Sequence, residues 1–166
     1  DFTGTSPQGR GALHTNYAFA ASCASAALRC VIDPDMPNNA GFYKPITIIA
    51  PPGSFVNVQY PAALGARGQG GYRIRSLVLG ALAHLVPDAI AACAGGSEFA
   101  IVFAGYEGAA RKPFLHLEFH NVSGQGGGPD RDGQDGGPYC IGNLANVPLE
   151  LLEAENPVLV EQYAFM

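Results

Sequence analysis

The chain has 166 residues, 48% of them hydrophobic and only 14% charged, with a net charge of −5. That length fits one domain able to bury its own core, and the composition excludes a disordered chain. The acidic balance, with nine scattered Lys and Arg residues, argues against nucleic acid or an anionic membrane as partner, while the sparse charge points to a surface covered by another protein.

Asp1 to Thr5 reads as the end of a strand, and GTSPQGRG from Gly4 to Gly11 as a polar loop. A chain that starts in this way, without methionine, has the look of a piece of a longer polypeptide. From Thr15 the pattern turns helical, with Thr15 or Asn16 placed to cap and Phe19, Cys23, Ala26 or Ala27 and Cys30 recurring on one face. Its many Ala and Ser residues imply close approach by a neighbour. Asp33-Pro34 stops it, because the residue before proline is pushed out of the helical region.

Asp33 to Gly41 is rich in turn formers. Pro45 to Ala50 (PITIIA) and Ser54 to Tyr60 read as two short strands separated by Pro51-Pro52-Gly53. Gly65 to Gly71 reads as a loop. Tyr72 to Val86 then forms an amphipathic helix with Ile74, Leu77, Val78, Ala81, Leu82 and Leu85 on its apolar face, stopped by Pro87. Glu98 to Tyr106 and Phe114 to Asn121 make a strand pair joined through Gly108. A short helix over Pro148 to Glu155, capped by Asn146, and a last strand over Val158 to Tyr163 complete an α+β fold, a mixed sheet with two main helices in a single domain.

The segment His116 to Tyr139 concentrates the chemistry. His116, Glu118 and His120 occupy alternate positions of a strand and so share one face, with Leu117 and Phe119 on the other. Two imidazoles and a carboxylate can shift one another's protonation or meet a metal, although such residues are commonly solvated on an edge strand. The glycines Gly124, Gly126, Gly127 and Gly128 allow backbone to approach a ligand, and Asp130, Asp132 and Asp135 follow as acceptors. No Walker loop, dinucleotide fingerprint or serine elbow is present, so the chain by itself offers no nucleotide site. Ser123 is no serine nucleophile, and Cys140 reads as a buried thiol sooner than as a nucleophile. Cys23, Cys30, Cys93 and Cys140 lack the C-x-x-C spacing and read together as buried thiols in a cytoplasmic protein. No apolar run reaches the length of a membrane span.

Several stretches together carry a resemblance. They are DFTGTSPQ at Asp1 to Gln8, Asn16 before an Ala-rich helix ending in LRC, MPNNAGFYKPITIIAPPGS from Met36, YPAA from Tyr60, YRI and LGALA between Tyr72 and Ala83, RDGQDG from Arg131, and NLANVPLELLEAENPVLVEQY from Asn143. In this order and spacing the chain resembles the hydantoinase B/oxoprolinase family, and residues 1–166 correspond to the C-terminal part of such a domain, a fragment of a larger subunit.

The resemblance implies a component of an ATP-dependent hydrolase that opens a cyclic amide after phosphorylation by a hydantoinase A-type subunit, with ATP on that partner. It also implies a hetero-oligomer and a divalent metal bound mainly outside this segment. A ketone carboxylase of the acetone carboxylase type and a non-catalytic assembly segment are the alternatives. Within that frame Glu118 is the candidate base, Asp132 a metal or water ligand and Asn143 the amide orienter. Asn16, Gly126, Gly127 and His120 are candidate substrate contacts.

Overall fold

The computed structural model describes residues 1–33, 35–96, 99–120, 124–135 and 147–162, with backbone alone for Phe99, Ala100, Glu118, Phe119 and His120. Helix α1 spans Tyr17–Ile32, α2 Ala40–Tyr43, α3 Arg67–Leu82 and α4 Leu149–Glu155; strands β1 (Phe99–Glu107) and β2 (Lys112–His120) pair antiparallel. The fold is thus α+β with two main helices, and its regular sheet among the described residues is a two-stranded hairpin.

Helix α1 follows its sequence closely. The Asn16 side chain accepts the Phe19 amide at 2.9 Å, supplying one of the partners that the first turn of a helix lacks, and Asp33 ends the helix in an extended conformation. Its small residues do what their size suggests. Ala20, Ala24 and Ala27 are buried together with Cys23, and α3 packs across them.

That contact explains the first correction. The Gly65 to Gly71 stretch is not a loop, because α3 begins at Arg67 and carries Gly68, Gly70 and Gly71 in its first turns. Glycine disfavours helix by about 1 kcal/mol per residue relative to alanine, which is why the sequence reads as a break. Tertiary packing overrides it. A Cβ on Gly70 would stand 2.6 Å from the Leu13 carbonyl oxygen, and one on Gly71 would stand 2.7 Å from the Phe19 ring. Only glycine lets the chains approach this closely.

The buried face of α3 therefore lies toward its N-terminus, at Gly70, Gly71, Tyr72 and Ile74, with Val78 partly buried. Ile74 joins Phe2, Ala20, Cys23, Ala24 and Val56 in the core. The helix expected to run to Val86 ends at Leu82, and the apolar stripe does not hold toward that end: Leu77 is 62% exposed, and Leu85, beyond the helix, 77%. Ile74→Ala should cost about 2–5 kcal/mol in chemical denaturation, the range for a buried aliphatic residue, and Leu77→Ala within about 0.5 kcal/mol of zero.

The extended segments between the helices form no regular sheet. Phe2 donates its amide to the Ile49 carbonyl at 2.8 Å, and Pro7 and Ser54 form an isolated bridge. Pro45, Pro51 and Pro52 bring no amide proton to a ladder, and Gly53 turns through φ +75°, so the strands expected over Pro45 to Ala50 and Ser54 to Tyr60 do not form. Asp1 to Thr5 likewise stays irregular. Residues 158–162 are not a strand either; the Val160 amide is taken by the Glu153 carboxylate at 2.8 Å. Asn39 caps the short helix α2, which falls inside the expected turn region.

The thiols split. Cys23 is buried, while Cys30 and Cys93 are exposed, contrary to the expectation of buried thiols throughout. Burial pushes the Cys23 thiol up and the Arg75 charge partly offsets this. Under native conditions a thiol reagent should label Cys30 and Cys93 quickly and Cys23 only on unfolding, as read by mass spectrometry of timed aliquots.

Candidate functional site

The hairpin sets out its residues as the alternation of the strand requires. Phe103 pairs with His116, Ile101 with Glu118 and Phe99 with His120, so the register places His116, Glu118 and His120 on one face of β2. Gly108 and Arg111 adopt positive φ in the turn, and the Arg111 amide donates to the Gly108 carbonyl. The histidine face is the more covered one: Phe114 and His116 are half-buried, and His116 Nδ1 lies 3.4 Å from the Asn156 amide nitrogen at the end of α4. On the opposite face Leu115 and Leu117 stand 70% and 44% exposed beside Val102.

The glycine loop is built against a different wall. Ala92 donates its amide to the Gly127 carbonyl at 2.8 Å, Gln125 to Gln134 at 2.9 Å, and Gly128 to Arg131 at 2.9 Å. A Cβ on Gly126 would be driven into the Ala92 carbonyl oxygen, so the loop and the 90–94 segment meet backbone to backbone. Beneath them lies a cavity of about 390 Å³ between the last turn of α1, the second half of α3 and this loop. Val31, Leu79, Ala83, Ile90 and Ala92 give it apolar walls; Gln125, Gly126 and Arg131 close one side.

Of the residues singled out from sequence, Gly126 lines this cavity and Gly127 holds the loop to Ala92. Asp130, Asp132 and Asp135 are exposed on the same loop. Asn16 caps α1, and among the described side chains β2 contributes none to the cavity lining. Asn143, Asn146, Ser123 and Cys140 lie outside the described residues. Sequence reasoning missed Arg131 and the 90–94 segment as cavity residues; the one signal was the place of Arg131 between Asp130 and Asp132, just after the glycines. It also missed His14, a buried ring whose Nδ1–H donates to the Gly11 carbonyl at 2.7 Å and whose Nε2 accepts the Gly9 amide at 3.0 Å. His14 organises the loop before α1.

Comparison with known proteins decides the family, since the model of the family described as hydantoinase B/oxoprolinase matches residues 1–166. The chain belongs to the hydantoinase B/oxoprolinase family. An uncharacterised protein of Methanocaldococcus jannaschii is 32% identical over 167 residues, covering 99% of this chain and 28% of that protein. A putative D-/L-hydantoinase component of the B type, from a Pseudomonas species, is 29% identical, covering 98% of this chain and 28% of the relative. For 5-oxoprolinase 1 of Arabidopsis thaliana the figures are 29% identity, 98% of this chain and 12% of the relative. The crystal structure of an ATP-dependent caprolactamase from Pseudomonas jessenii superposes with a TM-score of 0.78 at 24% identity, over 98% of this chain and 29% of the other, so this segment shares the fold of that part of the caprolactamase. The chain spans 28% or less of the length of these curated relatives.

Among the described residues no group of three or more His, Cys, Asp or Glu side chains is placed to hold a metal ion. No helix among the described residues is long and apolar enough to cross a membrane.

Proposed function

We infer that this chain is a component of an ATP-dependent hydrolase that opens a cyclic amide, such as a hydantoin, 5-oxoproline or a related lactam, after a hydantoinase A-type partner has phosphorylated the ring. The observation that carries the reading is the match of the hydantoinase B/oxoprolinase family to the whole chain, beside relatives named for hydantoins and 5-oxoproline. The geometry supports it with a glycine loop fastened over an apolar cavity of a size that suits a small ring.

An unactivated amide is a poor electrophile, and a phosphoryl group on its oxygen prepares the ring carbon for water. In this reading Glu118 accepts the proton of that water, Asp132 holds the water and Asn143 orients the amide through one donor and one acceptor. His120, Gly126 and Gly127 contact the substrate; Asn16, which caps the end of α1 opposite to the turn that lines the cavity, does not. ATP stays on the partner and a divalent metal is held outside these residues; no step here passes through either. Attack of the water on the ring carbon breaks the carbon–nitrogen bond, the nitrogen taking up a proton, to leave a ring-opened acyl phosphate, and a second water cleaves that to the ring-opened acid and phosphate.

The test is release of phosphate from ATP by the full protein with its partner subunit. Turnover should depend on a cyclic amide, and Glu118→Gln should lower kcat about 10²–10⁴-fold, the usual contribution of a positioned base, with KM little changed. ATP turnover that ignores every cyclic amide sinks the hydrolase reading, and turnover that needs bicarbonate and a ketone replaces it with a carboxylase.

A further inference from the structure

The cavity under the glycine loop has an uneven polarity. Its walls are apolar on α1, α3 and the 90–94 segment, and among the described residues that line it Arg131 is the single charged side chain. Asp130 and Asp132 flank Arg131 in the chain, yet neither forms an ion pair with it among the described residues. The amides of Gly126 and Gly127 find no acceptor among those residues, whereas their neighbours Gln125 and Gly128 do.

A neutral ring would fill the walls and leave the guanidinium unused. Free phosphate would use the guanidinium and leave the walls dry and empty. A ligand that satisfies both has a compact apolar body and an oxyanion at one end. Three tetrahedral oxygens suit a planar guanidinium fork together with nearby backbone amides, the arrangement by which glycine-rich loops hold phosphate.

We propose that this cavity receives the phosphorylated ring, its methylenes against Leu79, Ala83 and Ile90 and its phosphoryl oxygens on Arg131 and the Gly126 and Gly127 amides. The assignment rests on the hydrolase reading and adds to it where this component recognises its substrate. It makes Arg131 a binding residue for the group that every activated substrate shares, whatever ring carries it.

Cyclohexyl phosphate is a stable probe for such a site. Binding is measured by titration calorimetry on the full chain, beside cyclohexanol, inorganic phosphate and cyclohexanecarboxylate. Cyclohexyl phosphate should bind at least about tenfold more tightly than each of the other three, and Arg131→Gln should remove at least about tenfold of that affinity, as expected for charge-assisted hydrogen bonds, with Arg131→Lys keeping part of it. Arg131 is exposed, so both variants should fold, which their circular dichroism verifies. Equal binding of cyclohexanol, tighter binding of the carboxylate, or indifference to Arg131→Gln overturns the proposal. These titrations use neither ATP nor turnover. Loss of amide-dependent turnover with this binding intact would therefore remove the hydrolase reading alone, while turnover indifferent to Arg131→Gln would remove the site and spare that reading.

Discussion

Gly70→Val is expected to destabilise the protein by about 3 kcal/mol or more, at the upper end of what overpacking costs, against a gain of about 0.5–1 kcal/mol for Gly68→Ala in the same helix. The contrast isolates packing from helix propensity. At Gly68 an added Cβ meets open space, so removing glycine only restricts the unfolded chain. At Gly70 it meets the Leu13 carbonyl oxygen at 2.6 Å, the Thr15 methyl at 3.0 Å and the Phe55 ring at 3.1 Å. The Leu13 oxygen belongs to the backbone and cannot rotate away, and Thr15 beside it is fully buried, with its amide bonded to the Phe55 carbonyl. The branched side chain must force α3 off the 13–15 segment and Phe55. Urea denaturation of both variants gives the answer, and a Gly70→Val protein within about 0.5 kcal/mol of the parent would mean that α3 does not meet the 13–15 segment at this point.

Gly126→Ala should leave the fold standing and lower amide-dependent turnover about 100-fold or more, the loss that a displacement of about 1 Å brings to a positioned site. The new methyl would overlap the Ala92 carbonyl oxygen, so the glycine loop has to lift from the 90–94 segment. That movement breaks the hydrogen bond from Ala92 to Gly127 and opens the cavity on the side where Gln125 and Arg131 close it. Hydrogen exchange at the Ala92 amide reports the displacement directly, independently of catalysis. The core of Phe2, Ala20, Cys23, Ala24, Val56 and Ile74 lies elsewhere, so the unfolding transition should move little. Gly65→Ala, which meets nothing within 4 Å, is the control and should match the parent in both readouts. Full turnover in Gly126→Ala with a protected Ala92 amide would detach this loop from the site.

Sequence alone determined those parts of the protein whose causes are local. Asn16 caps α1, the spacing of Phe19, Cys23 and Ala27 gives its face, and Asp33 before proline ends it; each effect acts within a turn or two of chain. The hairpin was legible for the same reason, since two alternating runs and a glycine turn need only each other, and α4 starts directly after Pro148. The residues shared with the hydantoinase B/oxoprolinase family also stand in the sequence, and the family followed from their order.

Tertiary structure decided the rest. Whether Gly70 and Gly71 stand in loop or helix depends on Leu13, Thr15, Phe19 and Cys23, which are distant in the chain and fit only glycine beneath them. Propensity cannot see such a neighbour. The Pro45 to Ala50 and Ser54 to Tyr60 runs have strand composition but find no regular ladder partner, because pairing depends on what lies alongside as well as on the residues themselves. The cavity is the clearest case. Val31, Leu79, Ile90, Gly126 and Arg131 come from four separate stretches, and each alone reads as an ordinary helix or loop residue. Only packing of α1 against α3, with the glycine loop hung from Ala92, brings an apolar wall and a guanidinium to the same space.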